Sequence, residues 1–188
     1  AARELPLSAK DKKLLRSFHL LTSKPVLYVA NVDEASAATG NALSRSVADM
    51  AVRRNARAVV ISAAIEAELA QLEPAERNAY LATLGLAEPG LDRVIREGYA
   101  LLNLLTFFTA GPKETRAWTV RAGAKAPEAA GVIHSDFERG FICAEVIAYE
   151  DYVSCGGEQG AKEAGRMRLE GREYEIREAD ICHFRFHV

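Results

Sequence analysis

Lys24-Pro25-Val26-Leu27-Tyr28-Val29-Ala30-Asn31-Val32-Asp33-Glu34 is the stretch whose reading decides the fold. Val26 to Ala30 make a short continuous apolar run with β-branched and aromatic members, closed off by Pro25 before and by polar residues after. That pattern predicts a central strand of a parallel sheet, buried on both faces. Residues just past the carboxyl end of such a strand line the crevice in which open α/β sheets bind ligands. Asn31, Val32, Asp33 and Glu34 stand there, offering a side-chain amide, main-chain groups and two carboxylates. A second strand, Ala58-Val59-Val60-Ile61, ends in Ser62-Ala63-Ala64. Two neighbouring strand ends, one carrying Asn and the other Ser-Ala, suit a flat, hydrogen-bonding base. They make half of a nucleotide site.

Between the two strands, Asn41 to Asn55 places Leu43, Val47, Met50 and Ala51 at helical spacing, completing the strand–helix–strand unit of parallel sheets. Upstream, Ser8 followed by Asp11 forms an N-cap with an acidic third position, and Leu14, Leu15, Phe18 and Leu21 share one helical face. That helix must stop before Lys24-Pro25, because a residue preceding proline resists the α conformation. Downstream, helices are predicted over 66–72, over 74–84 with Pro74 in its first turn and Gly85 as its stop, and from Pro89-Gly90 to Leu102.

Near residue 103 the pattern changes. Thr106 to Thr109 and Arg116 to Arg121 flank the turn Ala110-Gly111-Pro112 and predict a hairpin. A short helix over 127–134, a strand over 140–149, a helix over 158–167 broken at Gly160 and Gly165, and strands over 174–177 and 181–188 follow. A hairpin, a short helix and further strands within about 85 residues suggest a small α+β roll of the β-grasp kind. The boundary falls near 101–104 without a Gly/Ser linker.

Composition narrows the function classes. The 188 residues are 49% apolar and 27% charged, with a net charge of −2, so no global field draws the chain to nucleic acid or an acidic membrane. No apolar run approaches the roughly 18 residues of a membrane span, and the amino terminus does not read as a signal peptide. Cys143, Cys155 and Cys182 are odd in number and lack CxxC spacing, which predicts reduced thiols in a cytoplasmic protein. A chain opening at Ala1 without Met predicts a fragment or processed product.

Several longer stretches carry a resemblance. Asn31-Val32-Asp33-Glu34, Ser62 to Leu69 and Leu84 to Leu91 are similar to the later part of the YchF family, also called Obg-like ATPases. Leu101 to Gly111, Arg116-Ala117-Trp118-Thr119, His134 to Ile142 and Gly157 to Gly165 resemble that family's carboxyl-terminal TGS domain. The resemblance implies two parts. Residues 1–102 would be the C-terminal part of a P-loop GTPase-like parallel-sheet domain, with Ser8 to Leu21 returning from a helical insertion. Residues 103–188 would be a small α+β β-grasp (TGS) domain. It implies ATP favoured over GTP, with Mg2+ in the intact protein, and contact with ribosome or RNA through the TGS domain. No DNA-specific signal accompanies it.

G-x-x-x-x-G-K-[S/T] occurs nowhere, so no loop in 1–188 cradles phosphates or supplies a Ser/Thr–magnesium contact. Gly157-Glu158-Gln159-Gly160-Ala161-Lys162-Glu163 has neither the spacing nor the hydroxyl, and its carboxylates repel phosphate. No catalytic residue and no metal ligand is therefore expected, and the chain alone should not turn over nucleotide. The base site is expected at Asn31, Val32, Glu34, Ser62, Ala63 and Ala64. Against the Asn-Lys-x-Asp motif that reads guanine, Val32 replaces Lys and Glu34 replaces Asp. Asn31 has the groups to meet the N6 and N7 edge of adenine with both ends of its amide. The competing reading is that Asn31 caps the following turn.

Other constellations weigh less. His183 and His187 lie on one face of the last strand, roughly 13 Å apart and too far for one zinc without further ligands. Phe184 and Phe186 lie on the opposite, apolar face. Phe107, Phe108, Trp118 and Phe141 fit a core better than a base-stacking platform. Over 98–188, 11 Lys and Arg stand against 14 Asp and Glu, so charge does not support a general RNA-binding surface. Glu66 and Glu68 point to different helix faces and make no catalytic dyad. Two function classes stay open: the base-binding part of an ATPase, and a TGS-type module that binds ribosome, RNA or protein without catalysis of its own.

Overall fold

The structure, a computed structural model, describes residues 1–187 and contains two compact units, Ala1–Leu102 and a second beginning at Asn103.

The first unit opens with α1 (Ala9–Ser17). The Ser8 hydroxyl oxygen accepts the Asp11 N–H at 3.2 Å and donates to the Asp11 carboxylate at 2.6 Å, the expected cap. The helix ends earlier than its apolar spacing suggests. His19 takes a left-handed φ of 51°, and a 3-10 turn over Leu21–Ser23 follows. A left-handed residue cannot continue a right-handed helix. Leu14, Phe18 and Leu21 are consequently exposed rather than forming one packed face.

β1 (Leu27–Asn31), α2 (Ala42–Arg53) and β2 (Arg57–Ile61) form the strand–helix–strand unit, with parallel pairing from Leu27↔Arg57 to Asn31↔Ile61. One expectation needs correcting. Within the described residues β1 is not buried on both faces, since β2 is its only strand neighbour there and Val29 is 46% exposed. Two-sided burial requires neighbours on both edges and cover on both faces, and an apolar sequence alone does not supply them. Leu43 also differs, pointing to solvent while Ser44 is buried. A reciprocal cap fixes that rotation: Ser44 N–H donates to Asn41 Oδ1, and Asn41 N–H donates to Ser44 Oγ, both at 2.9 Å.

α3 (Ala63–Leu69), α4 (Pro74–Thr83) and α5 (Gly90–Leu102) complete this unit. At the end of α4, Gly85 takes φ 66°, while the N–H groups of Gly85 and Leu86 reach the carbonyls of Ala82 and Leu81 at 3.1 and 3.0 Å. This pair satisfies two orphan carbonyls. It also turns Leu86 back onto a small core of Ala37, Ile65, Leu69 and Leu81.

The second unit is a five-stranded mixed sheet gripping a helix. β3 (Leu104–Ala110) and β4 (Thr115–Arg121) are the expected hairpin. α6 (Ala126–Ile133), α7 (Ser135–Arg139), β5 (Phe141–Ile147), α8 (Tyr149–Ser154), α9 (Glu158–Glu163), β6 (Arg168–Glu170) and β7 (Ile181–Phe186) follow. The sheet order is β4-β3-β7-β5-β6, with β3 and β7 parallel and the other pairs antiparallel. Phe107, Ala126, Ala129, Ala130, Phe141, Ala144, Val146 and Phe184 fill the space between sheet and α6. The small face of α6 lets the helix lie close to the strands.

Phe107 and Phe184 meet edge to face, with ring centroids 5.9 Å apart, so both are core. Phe186 departs from its expected burial, being 37% exposed, yet its ring stacks on Phe137 at 3.9 Å. His183 and His187 are exposed, and Val188, assigned to the same strand from sequence, lies outside the described residues.

The strand expected over 174–177 is absent. Only an isolated bridge, Lys125↔Glu175, forms there. The segment is instead pinned by the buried Asp180, whose carboxylate accepts the Tyr174 hydroxyl at 2.7 Å and the Arg177 N–H at 2.8 Å. Burial first, then the bond to Asp180, pushes the Tyr174 hydroxyl up to about 12 from an ordinary 10.0. The linkage follows. The unfolded chain ionises this tyrosine above pH 10.0, while the folded chain keeps it protonated until about 12. Its stabilisation is therefore complete below pH 10.0 and is lost as pH rises toward about 12. Urea midpoints of parent and Tyr174→Phe across this window check it. The parent should lose stability more steeply than the variant.

Candidate functional site

The parallel ladder brings the carboxyl ends of β1 and β2 side by side, and the pairing continues one residue further because the Val32 N–H donates to the Ile61 carbonyl at 2.9 Å. This extension holds the first residues of the connection after β1 against the start of α3. Across that gap the Asn31 Oδ1 accepts the Ala63 N–H at 2.9 Å. The backbone N–H can only donate, so the amide orientation is fixed and Nδ2 is left pointing away with both of its hydrogens.

This bond modifies the expected use of Asn31. The side chain does not cap its own turn. Asp33 does that, its Oδ1 accepting the Ser36 N–H at 2.8 Å at the head of the 3-10 turn Glu34–Ser36. One lone pair of Oδ1 is committed to Ala63, which leaves the other lone pair and both Nδ2 hydrogens for a ligand. Nδ2 is the end with no partner within the described residues. In a purine such a donor matches N7, which adenine and guanine share.

Ser62 follows the end of β2 and precedes α3. It is 2% exposed, and its Oγ has no hydrogen-bond partner among the described residues. A buried hydroxyl without a partner costs roughly 1–3 kcal/mol. Ala63 and Ala64 open α3 and are exposed, with side chains small enough to leave the approach clear. Glu34 is exposed at the start of its turn. The structure thus joins Asn31, Val32, Ser62, Ala63 and Ala64 at one edge, with Glu34 three residues along the same connection.

Two contacts of this region carry no sequence signal. Glu66 accepts the N–H groups of Gly90 at 2.7 Å and Leu91 at 3.2 Å, so a carboxylate of α3 caps α5. Gly90 is also close-packed, since an added Cβ would lie 2.9 Å from Ile61 and from Glu66. Tyr80 donates its hydroxyl to Glu68. That hydrogen bond first, then burial and the charges of Glu68 and Glu34, raises its ionisation point. Among the described residues, no group of three or more His, Cys, Asp or Glu could hold a metal, and no helix is long and apolar enough to cross a membrane.

Residues 104–187 match the family model YchF-GTPase_C, described as a protein of unknown function (DUF933). The chain is similar to the ribosome-binding ATPase YchF of Bacillus subtilis, 52% identical over 189 residues, which span 100% of the chain and 52% of that protein. It is 53% identical over 186 residues to the protein of the same name from Haemophilus influenzae, covering 99% of the chain and 51% of that protein. Its fold superposes on the Schizosaccharomyces pombe YchF GTPase with a TM-score of 0.81 and 32% identity, covering 97% of the chain and 49% of that structure. The chain therefore spans about half the length of the curated relatives it matches.

Proposed function

The chain belongs to the YchF family, and from that premise we propose that its strand-end site holds the purine base of a nucleotide, ATP in preference to GTP, in a ribosome-associated Obg-like ATPase. The observation carrying this reading is the Asn31–Ala63 bond across adjacent parallel strand ends, which leaves Nδ2 as a free donor at that edge. Asn31 donates to N7 of either purine. Choice between purines then falls to Glu34 and to main-chain groups of Val32 and of Ser62 to Ala64. Adenine carries a lone pair at N1 where guanine carries a hydrogen, so a carboxylate reaching that edge would favour guanine. Glu34, one methylene longer than the Asp of the guanine motif, does not reproduce that clamp.

These residues fit a base and not a triphosphate. The connection after β1 is acidic at Asp33 and Glu34, and no Walker-type loop occurs in 1–188. The phosphates and Mg2+, which supplies electrostatic stabilisation of the transferred phosphoryl group, are assigned to residues outside 1–188. Within 1–188, Asn31 orients the purine, and Ala63 and Ala64 keep its approach open.

The second unit is assigned as a TGS domain that contacts ribosome or RNA, in a cytoplasmic protein. Its β-grasp form and its match to the family model support this assignment. The relatives' names make the ribosome the first partner to test.

The reading yields a direct expectation for the 188-residue chain. Purified alone, it should bind ATP weakly and release no phosphate above background, because backbone N–H groups around the phosphates and magnesium provide most of the affinity and all of the chemistry in phosphate-loop proteins. Multiple turnovers by the purified chain, retained through successive chromatographic steps, would overturn the assignment of catalysis to another segment.

A further inference from the structure

At the opposite end of the same two strands lies a cavity of about 690 Å³ lined by four arginines, Arg3, Arg16, Arg54 and Arg57. Five residues of strand at about 3.3 Å per step put it roughly 13 Å from the base site. It is therefore a separate place on the first unit. The local sequence explains the convergence. Arg16 closes α1, Arg54 follows α2, Arg57 opens β2, and Arg3 sits in the 3-10 turn Ala2–Glu4, so chain ends that share one side of the layer bring four guanidiniums together. Val52 and Leu101 give the cavity an apolar wall.

Two of the arginines are used within the protein. Arg57 pairs with Glu97 at 2.7 Å, and Arg3 donates to the Lys24 carbonyl. Arg16 and Arg54 are not. Among the described residues, neither has a carboxylate within ion-pair distance, and neither side chain donates to a helix carbonyl. Glu4 feels the charge of Arg54 without forming an ion pair with it, and sets one negative charge against the four arginines. Position at a helix C-terminus is favourable for a cation and accounts for part of the placement. It does not account for four of them around one cavity in a chain whose net charge is −2. Each helix end contributes only about half a negative charge, so a positive excess of one to two charges remains after Glu97 is counted.

We propose that this cavity binds a small diphosphate-bearing molecule. Guanidiniums bind phosphoryl oxygens with paired N–H donors and stay charged at every physiological pH. The volume lies within the roughly 300–1,000 Å³ of ordinary small-molecule sites. Arg16 and Arg54 grip the ligand, while Arg57, already held by Glu97, adds to the field.

Isothermal titration of inorganic pyrophosphate into the 188-residue chain tests the proposal. Three proteins are compared: the parent, Arg16→Gln/Arg54→Gln, and Lys113→Gln/Arg121→Gln, which removes two exposed charges from the second unit. Thermal unfolding confirms that each remains folded. The cavity variant should lose about tenfold or more in affinity. The surface variant should stay within about twofold of the parent. Repeating the titration with ADP in an Asn31→Ala background separates the two sources. Tighter binding of ADP identifies a nucleotide diphosphate, and equal or weaker binding a free one, either within the proposed class. Equal losses in both double variants, or no heat from the parent at millimolar pyrophosphate, would overturn the site.

Discussion

Replacing Phe184 with alanine should lower the stability of the second unit by about 3–5 kcal/mol, the usual result of deleting a buried aromatic. Phe184 is 6% exposed on β7, meets Phe107 edge to face, and lies 6.2 Å from the Phe141 ring. Alanine would leave a void bounded by two rings and the small face of α6, and none of these can collapse into it without moving the sheet. His187→Ala, three residues further on an exposed position, should change stability by no more than about 0.5 kcal/mol. Since whole domains are stable by only about 5–15 kcal/mol, the first variant removes a large part of the total. Urea unfolding followed by Trp118 fluorescence compares the two directly. Equal losses would mean that the side chains of this strand face the other way.

The second large effect concerns choice of base. Val32→Lys together with Glu34→Asp should move preference toward GTP by about ten- to a hundredfold, the equivalent of one bidentate contact of roughly 1–3 kcal/mol. Lysine lays an apolar stem over the base, and the shorter carboxylate pairs with two guanine N–H groups. Asn31 is left untouched, so the proposed N7 contact should stay in both proteins while only discrimination changes. The comparison is competitive binding of ATP against GTP by a family-length protein, one of the relatives' full length carrying residues 1–188, to which the phosphate site is assigned by proposal. The names of the relatives give the question its interest, because the bacterial proteins are called ATPases and the fission-yeast structure a GTPase. An unchanged ratio in a folded double variant would assign base choice to main-chain groups instead of Glu34.

Local signals were readable from the sequence. Ser8, Asn41 and Gly85 each mark a helix end through chemistry within three or four residues, and the hairpin around Gly111 announces itself through its turn. The strand-end position of Asn31 and Ser62 followed from two apolar runs with a helix between them. Partners distant in sequence were not readable. The Asn31–Ala63 bond spans 32 residues and the Glu66 cap of Gly90 spans 24, so no window contains both ends of either. The same limit explains the misread segment 174–177. Its alternating pattern suits a strand, but Asp180 draws Tyr174 and the Arg177 N–H into a pinned turn. Burial of β1 was overestimated because apolar residues state what a strand can bury, whereas its neighbours determine what it does bury.

The account stands or falls on Asn31, and Asn31→Asp isolates its function. Aspartate keeps an acceptor for the Ala63 N–H, so the link between the strand ends survives. It removes the donor and sets a negative charge opposite the N7 lone pair. Affinities for ATP, GTP and inorganic tripolyphosphate, measured on the family-length protein and on this variant, separate the base contact from the phosphate contact. The account predicts that ATP and GTP both weaken by about tenfold or more, the cost of one lost hydrogen bond plus repulsion, while tripolyphosphate binds as before. Unchanged ATP and GTP affinity, or equal weakening of all three ligands, would contradict a base site at the ends of β1 and β2.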